Sequence, residues 1–270
     1  MQNWCDEDFD ALELVEGALV LNQAINPDTQ VAWAQGELTR LLKEAQLALS
    51  DEHDPQARFT RFLHLFYHQW GFSGDSEAYF DSRNAFIDQV LKRRKGIPVS
   101  LGALLLYIGR KLGFPLHSIN FPTQFLLALD WPGEAPIYLN PFNGERVSQH
   151  TLQAWLVGQQ GPLAKLNSSH LPRVDNPSII GRWLALIKSA LLREEHYTLA
   201  LRCTNLALTF VPDDPYEIRD RGFIYQQLAC HQIAMADYQY FIEHCPHDPA
   251  SELLKKQVNL LSHGRPVTLH

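Results

Sequence analysis

From Pro98 to Leu112 the chain reads as a helix with no side to give to water. Leu101, Leu104, Leu105, Ile108 and Leu112 fall at helical spacing, and Ala103, Leu106 and Tyr107 make the other faces largely apolar too. Such a helix has to be surrounded by other elements, so it organises whatever fold contains it. Pro98 suits the first helical position, where no amide donor is needed, and it biases Ile97 towards an extended backbone. Ser100 then falls in the first turn, and Gly113 supplies a left-handed stop. After the helix, Leu116 to Phe121 and Phe125 to Asp130 read as short strands joined by Pro122-Thr123-Gln124. Trp131-Pro132-Gly133 is a turn, and a third strand, Ile137 to Asn140, ends at Pro141-Phe142-Asn143-Gly144. A buried helix followed by an antiparallel meander predicts an α+β core.

The last third of the chain repeats itself. Pro212-Asp213-Asp214-Pro215 recurs as Pro246-His247-Asp248-Pro249, and Ala200 recurs as Ala234, each thirty-four positions on. That is the tetratricopeptide period. Leu199 matches Ile233, Leu206 matches Tyr240 and Leu208 matches Ile242, which predicts a conserved apolar face on the second helix of each pair. The small alanine would sit at the close helix crossing, and each Asp-Pro would start the next helix. Gln159-Gln160-Gly161-Pro162 and Asn167 to Pro172 are loop-like, and Asn176-Pro177 opens a new helix. The expected boundary lies near Asp175, with residues 1–175 forming one domain and 176–270 the helical repeats.

The N-terminal part is predicted helical over Val31 to Leu49, Ala57 to Gly71 and Ser82 to Lys95. His64 and His68, one helical turn apart, are the candidate metal pair. They lie in an aromatic segment and no Glu follows His64, so they are expected to be packing residues and no metal is expected.

The helix behind Gly96-Ile97-Pro98, the Phe121-Pro122-x-x-Phe125 strand and the Asn140-Pro141-Phe142-Asn143-Gly144 turn together resemble the transglutaminase-like core. The variant they resemble is joined to tetratricopeptide repeats and known in bacteria as the Sir B type invasion-gene regulator family. The resemblance covers most of the chain. It implies a cleft where active members of the wider superfamily carry a Cys at the helix N-terminus, a His on the next strand and an Asp on the one after. There the helix dipole and a neighbouring imidazolium would lower the thiol pKa, and the carboxylate would orient the imidazole. Counting back from Gly113 puts the Cys position at Pro98, and a two-residue gap would put it at Ser100. The His position aligns with Gln124 and the Asp position with Asn140. Gln cannot act as a general base, and Asn cannot stabilise an imidazolium by charge. Pro98, Ser100, Gln124 and Asn140 are thus the expected degenerate cleft, and the catalytic residues are unknown. Arg83-Asn84 also matches the family pattern and is expected to scaffold the cleft.

Composition narrows the function. A net charge of -7 argues against a broad nucleic-acid surface, since phosphate binding needs a positive field. The basic run Lys92-Arg93-Arg94-Lys95 is short and is expected to be the solvated end of a helix. No secretory signal or membrane-spanning run is visible. Four cysteines with no C-x-x-C fit a reduced, cytoplasmic protein. The favoured reading is a non-catalytic protein-binding or regulatory module without a cofactor, which meets a protein partner through the repeats or the cleft and binds neither nucleic acid nor membrane. The rival is a hydrolase or acyl-transfer enzyme using Ser100, activated by His117 on the preceding strand. It requires a hydrogen-bonded base and an oxyanion hole.

Overall fold

The computed structural model describes residues 11–263. They divide into two compact units after Trp183.

In the first unit, α1 (Leu14–Ile25), α2 (Val31–Ala48) and α3 (Pro55–His64) precede a short π-helical turn, Leu65–Gln69. A parallel pair of two-residue strands follows, β1 (Ser73–Gly74) and β2 (Lys95–Gly96), with α4 (Ile87–Arg93) between them in sequence. Next come the central helix α5 (Pro98–Lys111), the strands β3 (Leu116–Asn120), β4 (Phe125–Leu129), β5 (Ile137–Leu139) and β6 (Arg146–Val147), and α6 (Gln149–Gln160). The four strands form an antiparallel meander in sequence order, with Leu116 opposite Leu129 and Leu127 opposite Leu139. The α+β expectation therefore stands. Of the fourteen residues of α5, eleven are buried, as a helix apolar on every face requires. Every residue of β4 is buried as well.

Three local readings need correction. Ser82 to Lys95 is not one helix: a 3-10 turn (Ser82–Asn84) is separated from α4 by Ala85 and by an extended Phe86. At its other end α4 stops at Arg94, whose φ of 58° is left-handed and turns Lys95-Gly96 out to pair with β1. His64 and His68 are not packed among the aromatics. They stand side by side, exposed, with ring centroids 4.9 Å apart, because Phe62, Leu65 and Phe66 take the inward face. Among the described residues no group of three His, Cys, Asp or Glu side chains could hold a metal ion.

The basic run is also not a solvated helix end. Lys92 lies 3.3 Å from Asp88, Arg93 lies 2.9 Å from Asp75, Arg94 pairs with Glu37, and Lys95 lies 3.9 Å from Asp75. Arg94 additionally lies over the Phe72 ring, 4.6 Å from its centroid. The four positive charges are spent on carboxylates of the same unit.

Glu37 shows what this pairing does. The hydrogen bond from Arg40, with help from Arg94 against burial, pulls its carboxyl from 4.5 down to about 2. A carboxyl held low in the fold stabilises it fully above the unfolded pKa and loses that contribution as pH falls towards the folded one. Glu37→Gln should therefore lower the urea midpoint at pH 7, and the gap from the parent should close as pH falls from 4.5 towards about 2. A gap independent of pH over that window would mean the carboxylate is not what matters.

In the second unit, α7 (Asn176–Arg193, whose start belongs to the first unit) leads into α8 (Tyr197–Phe210), α9 (Pro215–Gln227), α10 (His231–His244) and α11 (Pro249–His263), with no strand among them. Asp214 caps α9 by accepting from Tyr216 N at 2.9 Å, and Asp248 accepts from Ala250 N at 2.8 Å, so both Asp-Pro pairs start helices. Ala200 and Ala234 are fully buried. Leu206, Leu208 and Ile242 are buried too, but Ile233 is 46% exposed, so the Leu199–Ile233 match lies off the packed face. Lys188 is buried between Glu217 and Asp220, 2.6 Å from each.

Candidate functional site

The N-terminus of α5 is assembled from backbone outwards. Ile97 is extended, with φ -101° and ψ 167°, as a residue before proline should be, and Pro98 occupies the first turn. Ser100, fully buried, accepts a hydrogen bond from Ile97 N at 3.1 Å and donates one to Asn84 O at 2.7 Å. A side chain at Gly96 would come within 2.7 Å of the Ser100 hydroxyl, so only glycine lets β2 lie this close.

Asn84 ties this end of the helix to a buried charge pair that the sequence reading missed. Its Nδ2 donates to Ala78 O at 2.7 Å, and its Oδ1 accepts from Arg93 at 3.0 Å. Arg93 also donates to Asp75 at 2.9 Å, and Asp75 accepts from Ala78 N at 3.1 Å. Burial alone would raise the Asp75 carboxyl. The bonds from Ala78, Arg93 and Asn84, with the charge of Lys95, outweigh it and hold the pKa below the ordinary value. Of the Arg83-Asn84 pair expected to scaffold the cleft, Asn84 holds the start of α5 through the bond its backbone oxygen accepts from Ser100.

One turn further along α5, Gly102 faces Phe125 and Pro141, and a Cβ there would overlap the Phe125 ring. These are the chain neighbours of Gln124 and Asn140. Asn140 is fixed by its own turn: its Oδ1 accepts from Phe142 N at 3.0 Å and its backbone oxygen from Gly144 N at 2.8 Å. Tyr67 donates to Pro141 O at 2.7 Å, and Gly74 N donates to Phe142 O at 2.8 Å, so the turn is braced from two sides. Gln124 closes a tight turn through its backbone N–H to Phe121 O at 3.2 Å. Its side-chain Nε2 is buried without a hydrogen-bond partner, beside a shallow depression that Gln124 lines with Thr123, Trp155 and Gln159.

His117 stands apart from Ser100 in its bonding. It lies on β3 opposite Ala128, and its Nε2 is 3.7 Å from Asp130. Burial, reinforced by the charge of Arg173, lowers its pKa against the opposing pull of Asp130. The hydrogen bonds of the Ser100 hydroxyl all go to backbone groups of Ile97 and Asn84. Chemically, the region offers one unpaired carboxamide donor and a hydroxyl already committed to holding the helix.

An all-round-apolar helix on an antiparallel meander, followed by thirty-four-residue helix pairs, defines a transglutaminase-like protein with tetratricopeptide repeats. Residues 32–185 match the transglutaminase-like superfamily and residues 187–259 match the tetratricopeptide repeat. Over the full length of both chains, this sequence is 79% identical to a UPF0162 protein of Vibrio cholerae. It is 39% identical, again over both full lengths, to Protein SirB1 of Salmonella typhimurium and to the UPF0162 protein YchA of Escherichia coli K12. The chain belongs to this SirB1 and UPF0162 family. No solved structure matches it.

Proposed function

We propose that this chain is a non-catalytic regulatory module that binds a protein partner through its repeats or through a degenerate cleft at Pro98, Ser100, Gln124 and Asn140. The observation that carries this reading is the state of Ser100. A catalytic serine must reach both a base and a substrate, whereas this one has no exposed surface and its hydroxyl is held by Ile97 and Asn84. That bonding also speaks against the rival hydrolase reading. The thiols support it as well. No Cys lies between Asp6 and Arg202, and burial pushes the Cys203 thiol up to about 12, far from a reactive thiolate.

A reduced, cytoplasmic setting is part of the same reading, and the free thiols of Cys203, Cys230 and Cys245 support it; Cys5 lies outside the described residues. Nucleic acid is not the expected partner, since the basic run of α4 is already matched by carboxylates. Among the described residues no helix is long and apolar enough to cross a membrane.

The purified chain is expected to lack thiol-dependent peptidase, transglutaminase and deamidase activity. Iodoacetamide should label Cys230, which is exposed, and should spare Cys203 until the protein is unfolded. Turnover that mild alkylation abolishes, with the circular dichroism unchanged, would overturn the reading.

A further inference from the structure

A second concavity lies at the other end of the central helix. It has a volume of about 440 Å³, within the range of small-molecule sites, and is walled by Ser50, Glu52, His53, Arg58, Phe114 and Trp131. Phe114 follows the C-terminal end of α5, whose fourteen residues span about 21 Å, so this hollow is well removed from Pro98.

Its chemistry is one-sided. Arg58 lies over the Phe114 ring, 5.5 Å from the centroid, and one of its nitrogens donates to Leu112 O at 3.1 Å. Its remaining guanidinium nitrogens have no hydrogen-bond acceptor, and no carboxylate lies within 4.0 Å of it, among the described residues. The indole N–H of Trp131 and the imidazole of His53 are likewise without hydrogen-bond partners there. Most arginines of this unit are spent on carboxylates: Arg61 on Asp51, Arg93 on Asp75, Arg94 on Glu37. Arg58 is instead half-buried, oriented by a ring and a carbonyl, with its fork left open. Trp131 stands at 89° to Phe114 with centroids 6.5 Å apart, which gives the hollow an apolar corner beside the guanidinium. Glu52 is the one carboxylate in the wall. It accepts from Asp54 N at 3.0 Å, and its charge disfavours a ligand carrying a second negative charge.

We propose that this hollow binds a small monocarboxylate with a flat apolar body. The carboxylate would engage the open guanidinium of Arg58, and the apolar part would pack into the Phe114–Trp131 corner. The site is independent of the degenerate cleft.

The full-length chain would be titrated with phenylacetate, phenylacetamide, acetate and phenyl phosphate, following the Trp131 indole resonance in ¹⁵N-labelled protein, assigned with Trp131→Phe. Phenylacetate is expected to shift that resonance saturably at millimolar concentration. Phenylacetamide, which lacks the charge, acetate, which lacks the ring, and phenyl phosphate, which carries the second charge, should each bind about tenfold more weakly. Arg58→Gln should reduce phenylacetate binding by a similar factor. Because the ligand comparison needs no substitution, poor folding of that variant would not protect the proposal. Equal binding of phenylacetate and phenylacetamide, or no saturable shift at millimolar phenylacetate, overturns it.

Discussion

Asp75→Ala is expected to destabilise the first unit by about 3 kcal/mol, at the low end for breaking a buried ion pair because Arg93 keeps some solvent contact. Asp75 is 3% exposed at its side chain and is the acceptor on which Arg93 and the Ala78 N–H converge. Removing the carboxylate strands Arg93, and with it Asn84, whose backbone oxygen holds Ser100 at the start of the central helix. Asp75→Asn keeps an acceptor but not the charge and should cost about half as much. Urea unfolding followed by circular dichroism checks both. A loss below about 0.5 kcal/mol for Asp75→Ala, the range of ordinary surface changes, would mean the network does not hold the helix end.

Gly144→Ala should cost about 2–4 kcal/mol, from two separable causes. Its φ of 76° is left-handed, which charges an alanine about 1 kcal/mol or more, and its Cβ would overlap the Tyr67 ring, adding an overpacking cost of about 1–3 kcal/mol. Gly133 provides the control: φ is 80°, but nothing lies within 4 Å of its Cβ position, so Gly133→Ala should show the backbone cost alone. The difference between the two variants measures how firmly Tyr67 braces the turn that carries Asn140. Equal losses would mean the Tyr67 ring gives way freely and the turn is loosely held.

The fold was legible where a single local rule acts over many residues. The apolar circumference of α5 demanded a surrounding shell, and the Asp-Pro recurrence marked helix starts at Pro215 and Pro249. What stayed hidden depends on contacts made far away in sequence. Ser82 to Lys95 has helical composition, yet Asn84 spends its side chain on Ala78 and Arg93, and Arg94 turns left-handed to deliver β2 to β1. The helix α1 and the two-residue strand β6 were missed, although Glu16 reaches back to Glu13 N at the start of α1 and the Asn143-Gly144 turn leads into β6. Pro98, Gln124 and Asn140 were reachable as proposed cleft positions only through resemblance. Ser100 could be placed in the first turn from sequence, but its full burial could not, because groups close to it, Asn84 and Gly96, arrive through the 3-10 turn and β2. The basic run looked solvated for the same reason: apart from Asp88, its carboxylates, Glu37 and Asp75, lie up to 57 residues away.

The proposed function requires that the start of α5 carry no activated nucleophile. The most direct test exposes the native full-length protein to a fluorophosphonate, which captures only serines whose hydroxyl is accessible and activated by a base, and reads the intact mass and the modified peptide. No adduct at Ser100 is expected, under conditions where an authentic serine hydrolase in the same tube is fully labelled. An adduct that maps to Ser100 and disappears in Ser100→Ala would contradict the account and make this chain an enzyme.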